Sequence, residues 1–122
     1  MSAPDLKHVK LSTLKDVVLI EITTRDFHGP DTARELSAEL TRVAHQEWAK
    51  RLLVDCKQIR FFSSTAFAAL VGLVKRCTEA GKQVRFCAMA PEVLLGAQII
   101  GLDKLTPIDE SEATALAAFA QA

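Results

Sequence analysis

The segment Leu52–Gly81, LLVDCKQIRFFSSTAFAALVGLVKRCTEAG, decides the fold. It opens with a short apolar run, interrupted only by Asp55, which is typical of a strand covered on both faces in a parallel sheet. After a polar turn, the pair Phe61 and Phe62 is predicted to return the chain to the core. From Ser63 onward apolar residues recur at helical spacing, which predicts a mostly buried helix that ends at the glycine closing the segment.

Three hydroxyl residues, Ser63, Ser64 and Thr65, open this helix. The first N–H groups of a helix lack partners within it, and Ser or Thr side chains can accept from them, so the cluster is first of all a helix cap. The same free N–H groups and the positive end of the helix dipole also favour an anion, including a phosphate carried by one of these hydroxyls. Both interpretations of the hydroxyl cluster, as a helix cap and as a modification site, therefore remain open.

Length and charge exclude several classes of protein. The 122 residues suit one domain with one core, and 15 basic residues balance 15 acidic ones. Without a basic excess, no nucleic-acid partner is predicted. No apolar run is long enough to span a membrane, and the N-terminus lacks the apolar core of a signal peptide. We therefore expect a cytoplasmic protein without a membrane partner.

No residues gather into a metal or catalytic arrangement. The cysteines lie inside apolar elements without a paired spacing and are interpreted as buried free thiols: Cys56, Cys77 and Cys87. The histidines are scattered, so neither a metal nor a cofactor is expected. Asp55 is interpreted as orienting the turn that follows its strand. Because no nucleophile has a nearby base and no Gly-rich phosphate loop is present, no enzyme is predicted.

The rest of the chain alternates strands and helices. The predicted strands are Leu6 to Leu11, Val17 to Ile22, Gln83 to Ala88 and Leu105 to Ile108, with a hairpin turn at Lys15 and Asp16. The predicted helices run from an N-cap at Asp31 to about His45, from Pro91 to Ile100, and onward from Asp109 or Ser111. This order predicts an α/β fold with a small, mixed, mostly parallel sheet of about five strands and about four helices. Gly72, within the central helix, is attributed to close packing of that helix on the sheet.

In this setting the chain resembles the STAS domain, the fold of bacterial anti-sigma factor antagonists. The resemblance rests on an ordered succession: Val54-Asp55, Phe61-Phe62, Ser63-Ser64-Thr65-Ala66, Gly81, Phe86-Cys87, Pro91 and Gly101-Leu102. It covers nearly the whole chain and is most specific over residues 52–108. Residues 1–122 are therefore interpreted as a single STAS domain.

The resemblance implies a phosphorylation site at the start of the central helix. Position by position, Ser63 stands where the family signature has Asp, Ser64 stands at its first Ser, and Ala66 stands at its Gly. Thr65 falls at the phosphoacceptor. Thr65 is thus the predicted site, and Ser64 is the second choice and otherwise the helix cap.

The function that the resemblance implies is a binding switch without catalysis. By this resemblance, the unmodified protein is expected to bind a serine-kinase-type anti-sigma factor, which is also its kinase, and to release its sigma factor, whereas a phosphate opposes docking. The predicted partner-binding residues surround the helix start: Asp26, His28, Arg60, Ser63, Ser64, Thr65 and Phe67. The alternative, favoured by the missing Asp of the signature, is a non-switching STAS scaffold or accessory subunit of a larger signalling or transport complex. A homodimer is compatible with either function.

Overall fold

The structure is a computed structural model that describes residues 6–121, so residues 1–5 and 122 of the predicted domain lie outside the described residues. The described strands are β1 (Val9–Leu14), β2 (Val17–Ile22), β3 (Asp26–Phe27), β4 (Arg51–Asp55), β5 (Phe61–Phe62), β6 (Gln83–Cys87) and β7 (Ile108–Asp109). The helices are α1 (Pro30–Ala44), α2 (Ser64–Glu79), α3 (Pro91–Ile100), α4 (Leu102–Leu105) and α5 (Glu112–Gln121).

Five of the strands form one sheet in the order β1-β2-β4-β6-β7. β1 and β2 are antiparallel and are joined by the predicted hairpin, in which Lys15 has a φ of 57°. The other neighbouring pairs are parallel. The chain moves across the sheet in one direction, from β2 to β4 through α1 and from β4 to β6 through α2. Because both connections are right-handed crossovers, α1 and α2 lie on the same face of the sheet. The predicted α/β class and mixed, mostly parallel sheet are confirmed.

The alternation of side chains along the strands divides the interior in two. In β4, Leu52 and Val54 belong to the larger core, which includes the buried faces of α1 and α2. Leu53 points to the opposite face and packs in a smaller core with Phe119 of α5. All three β4 residues are fully buried, as expected for a central strand covered on both faces.

A second, two-stranded sheet forms outside the main one and was not predicted. β3 and β5 pair in parallel, with Asp26 opposite Phe61 and Phe27 opposite Phe62. Two residues per strand give almost no periodicity in the sequence, so a pattern of alternating residues could not reveal this pair. The small sheet joins the segment before α1 to the segment before α2.

Two predicted details were wrong. Asp31 lies inside the first turn of α1, whose N-cap is Gly29 with Pro30 as the first helical residue. The predicted strand from Leu105 is instead the end of the short helix α4, and β7 starts three residues later. This one-turn helix brings the number of helices to five among the described residues.

Close packing requires glycine at Gly96, whereas Gly72 was assigned that role from the sequence. A Cβ added to Gly96 would lie 2.8 Å from Cε2 and 2.9 Å from Cζ of Phe67. A Cβ at Gly72 would meet only Nη1 of Arg76, at 3.1 Å, which is the end of a flexible side chain. The absent side chain of Gly96 therefore lets α3 approach the ring of Phe67.

We expect Gly96→Ala to destabilise the protein by about 1–3 kcal/mol, because the new methyl group must displace the buried Phe67 ring. Gly72→Ala is the matched control, and it should be neutral or stabilising by up to about 1 kcal/mol, since alanine favours a helix. Urea denaturation monitored by circular dichroism measures both changes. Equal stability of the two variants would contradict this account of Gly96.

Candidate functional site

The three hydroxyl residues have different tasks at the start of α2. Ser63 is the N-cap, with extended backbone, and its Oγ accepts a hydrogen bond from the N–H of Ala66 at 3.2 Å. The sequence-based prediction of Ser64 as the cap was therefore wrong by one residue. Ser64 and Thr65 lie in the first turn and are exposed. The cap at Ser63 leaves their hydroxyl groups at the surface.

The small sheet fixes the loops beside this helix start. The N–H groups of Arg60 and Phe61 both donate to the carbonyl oxygen of Arg25, at 2.7 Å and 3.1 Å. The ring of Phe61 stacks on His28 with centroids 4.5 Å apart and an interplanar angle of 17°. Phe61 is 45% exposed, so it is a surface residue and not the core residue expected from the sequence.

We call this region the helix-start surface. Its residues come from the segment before α1 and from the segment that leads into α2: Asp26, His28, Arg60, Phe61, Ser63, Ser64 and Thr65. Six of these seven were predicted from the sequence. Phe61 was missed as a surface residue because an aromatic pair before a buried helix is more typical of a core.

The side chain of Phe67 is not available at this surface, although it was among the predicted partner-binding residues. It is 5% exposed, and its ring makes an edge-to-face contact with Phe62 at a centroid distance of 4.9 Å. Phe62 contacts Phe27 in the same manner, also at 4.9 Å. This aromatic chain supports the helix-start surface from below.

Two depressions adjoin the helix-start surface. A cavity of about 550 Å³ is lined by Asp26 and Arg60, together with Lys57, Ile59, Ala90 and Glu92. A groove of about 310 Å³ between α1 and α2 is lined by Thr65 together with Pro30, Ala33, Arg34, Ser37, Ala68 and Ala69. Arg34 is 76% exposed at its side chain and pairs with Asp31 at 3.3 Å. No sequence pattern connects Arg34 with Thr65, because the groove joins two helices that are distant in the chain.

The buried cysteines have the character of apolar residues. Burial raises the pKa of the Cys87 thiol to about 12 and raises that of Cys56 well above its usual range. Both thiols are therefore protonated at neutral pH, so neither is a reactive thiolate. Within residues 6–121, no three His, Cys, Asp or Glu side chains are grouped as metal ligands.

Asp55 orients the turn after β4, as predicted. Its Oδ1 accepts the backbone N–H of Lys57 at 2.9 Å. The Lys57 ammonium group lies 3.5 Å from Oδ2 of Asp55, 3.5 Å from Glu21 and 3.8 Å from Glu112. The nearby Asp55 and Glu21 carboxylates raise the pKa of Lys57, so its positive charge is maintained. Glu112 was not singled out from the sequence because it is distant from the other three residues in the chain.

The family model of the STAS domain matches residues 12–115. The chain belongs to the STAS domain family. The predicted resemblance is thereby confirmed. Within the described part of the chain, no helix has the length and apolarity needed to cross a membrane.

Solved structures show the same fold at low sequence identity. An anti-sigma-factor antagonist (STAS) domain protein from Planctomyces limnophilus has 20% identity and a TM-score of 0.71, covering 92% of this chain and 97% of that chain. The Bacillus protein SpoIIAA in its phosphorylated form has 14% identity and a TM-score of 0.67, covering 91% and 98%. The STAS domain of a SulP transporter from Vibrio cholerae has 16% identity and a TM-score of 0.68, covering 90% and 85%.

We expect Ser63→Ala to lower the free energy of unfolding by about 1 kcal/mol, because the N–H of Ala66 loses its acceptor. Ser64→Ala is the control at the neighbouring hydroxyl, and its effect should be much smaller because Ser64 is not the cap. Chemical denaturation of both variants tests the assignment. A larger loss in Ser64→Ala would return the capping role to Ser64.

Proposed function

We propose that this STAS domain is an anti-sigma factor antagonist whose helix-start surface binds a serine-kinase-type anti-sigma factor and thereby releases the sigma factor. Phosphorylation of Thr65 by that kinase turns binding off. The observation that carries the proposal is the exposed Thr65 in the first turn of α2, next to Ser63, which already serves as the cap. We place this switch in the cytoplasm.

The surface around Thr65 supports recognition by a protein partner. It combines the exposed Phe61–His28 stack with the exposed charges of Asp26 and Arg60. An aromatic group among polar residues is typical of the sites that contribute most to protein interfaces. The small sheet and the aromatic chain below it hold these groups in place, so docking requires little reordering of the protein.

A phosphate acts on this surface through charge. At pH 7 it adds about −1.5 to −2 charges and three acceptor oxygens. In the first turn of α2 the helix dipole and free N–H groups favour such an anion, so the modified protein remains folded. A partner that buries Thr65 must then desolvate the new charge, which opposes docking without a change of fold.

The binding test compares two variants of Thr65. Thr65→Glu should weaken binding to the cognate anti-sigma factor at least about tenfold, or 1.4 kcal/mol, because it places a negative charge in the contact. Thr65→Val, which has nearly the same shape without a phosphoacceptor, should bind but resist the kinase. Isothermal titration calorimetry and a kinase assay measure the two properties. Wild-type affinity of Thr65→Glu would overturn the switch, and phosphate transfer to Thr65→Val would move the site to Ser64.

The groove next to Thr65 gives a second test. With phosphothreonine installed at position 65, Arg34 should interact with the phosphate and lower its second pKa from about 6. A phosphorus NMR titration should therefore give a higher phosphate pKa in Arg34→Ala than in the wild type. Arg76→Ala is the control, since it changes a cation in the last turn of α2. Identical titrations of all three proteins would place the phosphate outside the groove.

The second candidate function is a non-switching scaffold or accessory subunit, which could include a homodimer. Its support is a group of exposed apolar side chains on α3 and α4: Leu95, Ile99, Ile100 and Leu105, of which Ile99 is 76% exposed. Large exposed apolar groups are typical of association surfaces. Sedimentation of the unmodified protein tests this candidate, and a stable assembly that Ile99→Asp disperses would favour it over the switch.

A further inference from the structure

A row of polar groups crosses the sheet on the side covered by α5. In the strand register Glu21 of β2 lies opposite Asp55 of β4, Asp55 lies opposite Cys87 of β6, and Cys87 lies opposite Asp109 of β7. These four positions share one face because neighbouring residues in register point to the same side of a sheet. Glu112, the first residue of α5, contributes a further carboxylate on this face of the sheet.

The cations near this row do not balance its carboxylates. Asp109 is matched by Arg85, whose Nε and Nη2 donate to its two oxygens at 2.9 Å and 3.2 Å. The remaining three carboxylates surround the ammonium group of Lys57 at 3.5–3.8 Å: Glu21, Asp55 and Glu112. The exposed Lys10 of β1 lies opposite Glu21 in the strand register. Gln58 donates to Glu21 at 2.9 Å, but this neutral group adds no positive charge.

Asp55 is the carboxylate with the strongest need for a donor. Its side chain is 1% exposed, and its buried Oδ2 accepts no hydrogen bond within the described structure. The Lys57 ammonium group, at 3.5 Å, is too far for a good hydrogen bond. The carboxylates of Glu112 and Asp55 approach the same Lys57 nitrogen, at 3.8 Å and 3.5 Å, but two ionised carboxylates have no proton to share. One added proton removes the repulsion between the Asp55 and Glu112 carboxylates, and it supplies the hydrogen-bond donor that Oδ2 of Asp55 lacks.

We propose that Asp55 and Glu112 form an acid-sensitive latch, in which one shared proton joins the first turn of α5 to the end of β4. The proton is taken up from water as the pH falls, and it returns to water as the pH rises. With the proton bound, the Glu112 hydroxyl donates to Asp55, and the three facing carboxylates carry two negative charges. Without it, they carry three, and Lys57 is the cation that contacts all three of them.

The titration behaviour of Glu112 agrees with this geometry. The hydrogen bond to Asp55, followed by partial burial and the Asp55 charge, raises the pKa of Glu112 above its ordinary value of 4.5, and Lys57 opposes the shift. A carboxyl group with a raised pKa binds its proton more tightly in the folded chain than in the unfolded one. Its contribution to stability is therefore complete below pH 4.5 and is lost as the pH rises through the raised pKa.

The first experiment is a carbon-13 NMR titration of the side-chain carboxyl groups in the full-length protein. Glu112 should titrate above 4.5. Asp55→Asn should lower the pKa of Glu112, because the carboxylate acceptor is gone, and Lys57→Met should raise it. Opposite shifts of the Glu112 pKa in these two variants distinguish a shared proton from a general effect of packing. A wild-type Glu112 that titrates at or below 4.5 would overturn the proposal.

The second experiment measures stability against pH. Glu112→Gln retains a donor toward Asp55 but cannot ionise, so its denaturation midpoint should exceed that of the wild type increasingly as the pH rises through the Glu112 pKa. Glu110→Gln is the matched control on an exposed neighbour and should follow the wild type at every pH. If Glu112→Gln and the wild type differ by a constant amount at all pH values, the latch is disproved. The NMR titration decides the question if Glu112→Gln does not fold.

Discussion

The parallel register of β2, β4 and β6 is the constraint on which the rest of this structure depends. Parallel strands finish at the same edge of a sheet, and the segments that leave them must return as helices. The starts of α1, α2 and α3 therefore gather at one end of the protein. Both the helix-start surface and the acidic row lie at this end. They are separated because strand residues alternate between the two faces, so the hydroxyl groups belong to the side of α1 and α2 while Asp55 faces α5.

The helix-start surface combines a rigid support with free hydroxyl groups. Ser63 satisfies the N–H of Ala66, so the start of α2 is stable without help from Thr65. Beneath it, the edge-to-face contacts of Phe27, Phe62 and Phe67 link the small sheet to the helix. Gly96 lets α3 close over Phe67. A modification of Thr65 can therefore change the charge of the surface while the fold beneath it stays the same, which is the property a binding switch requires.

The acidic row has a different physical character, because it brings charges together at the edge of a core. An isolated buried carboxylate is costly unless it is paired or protonated. Asp55 meets this condition in part by accepting the N–H of Lys57 at Oδ1. The buried Oδ2 has no hydrogen-bond partner in the described structure, and the proposed latch assigns it the proton of Glu112. In the functions proposed for the two regions, charge is the common element: a phosphate at the surface and a proton at the sheet edge.

The sequence by itself determined the α/β class, the main strands and helices, and the polar helix start. These follow from local patterns: the apolar run before Asp55, the helical spacing after Ser63, and glycine or proline at the ends of elements. It did not determine that Ser63 is the cap, that Phe61 is exposed on His28, or that Gly96 is the close-packed glycine. Nor did it bring Arg34 to Thr65, or Glu112 to Asp55. The cap is a local choice among three adjacent hydroxyl residues, each of which could accept a hydrogen bond there. The other contacts join residues that are distant along the chain, so only the tertiary structure, through strand register and helix packing, could decide them.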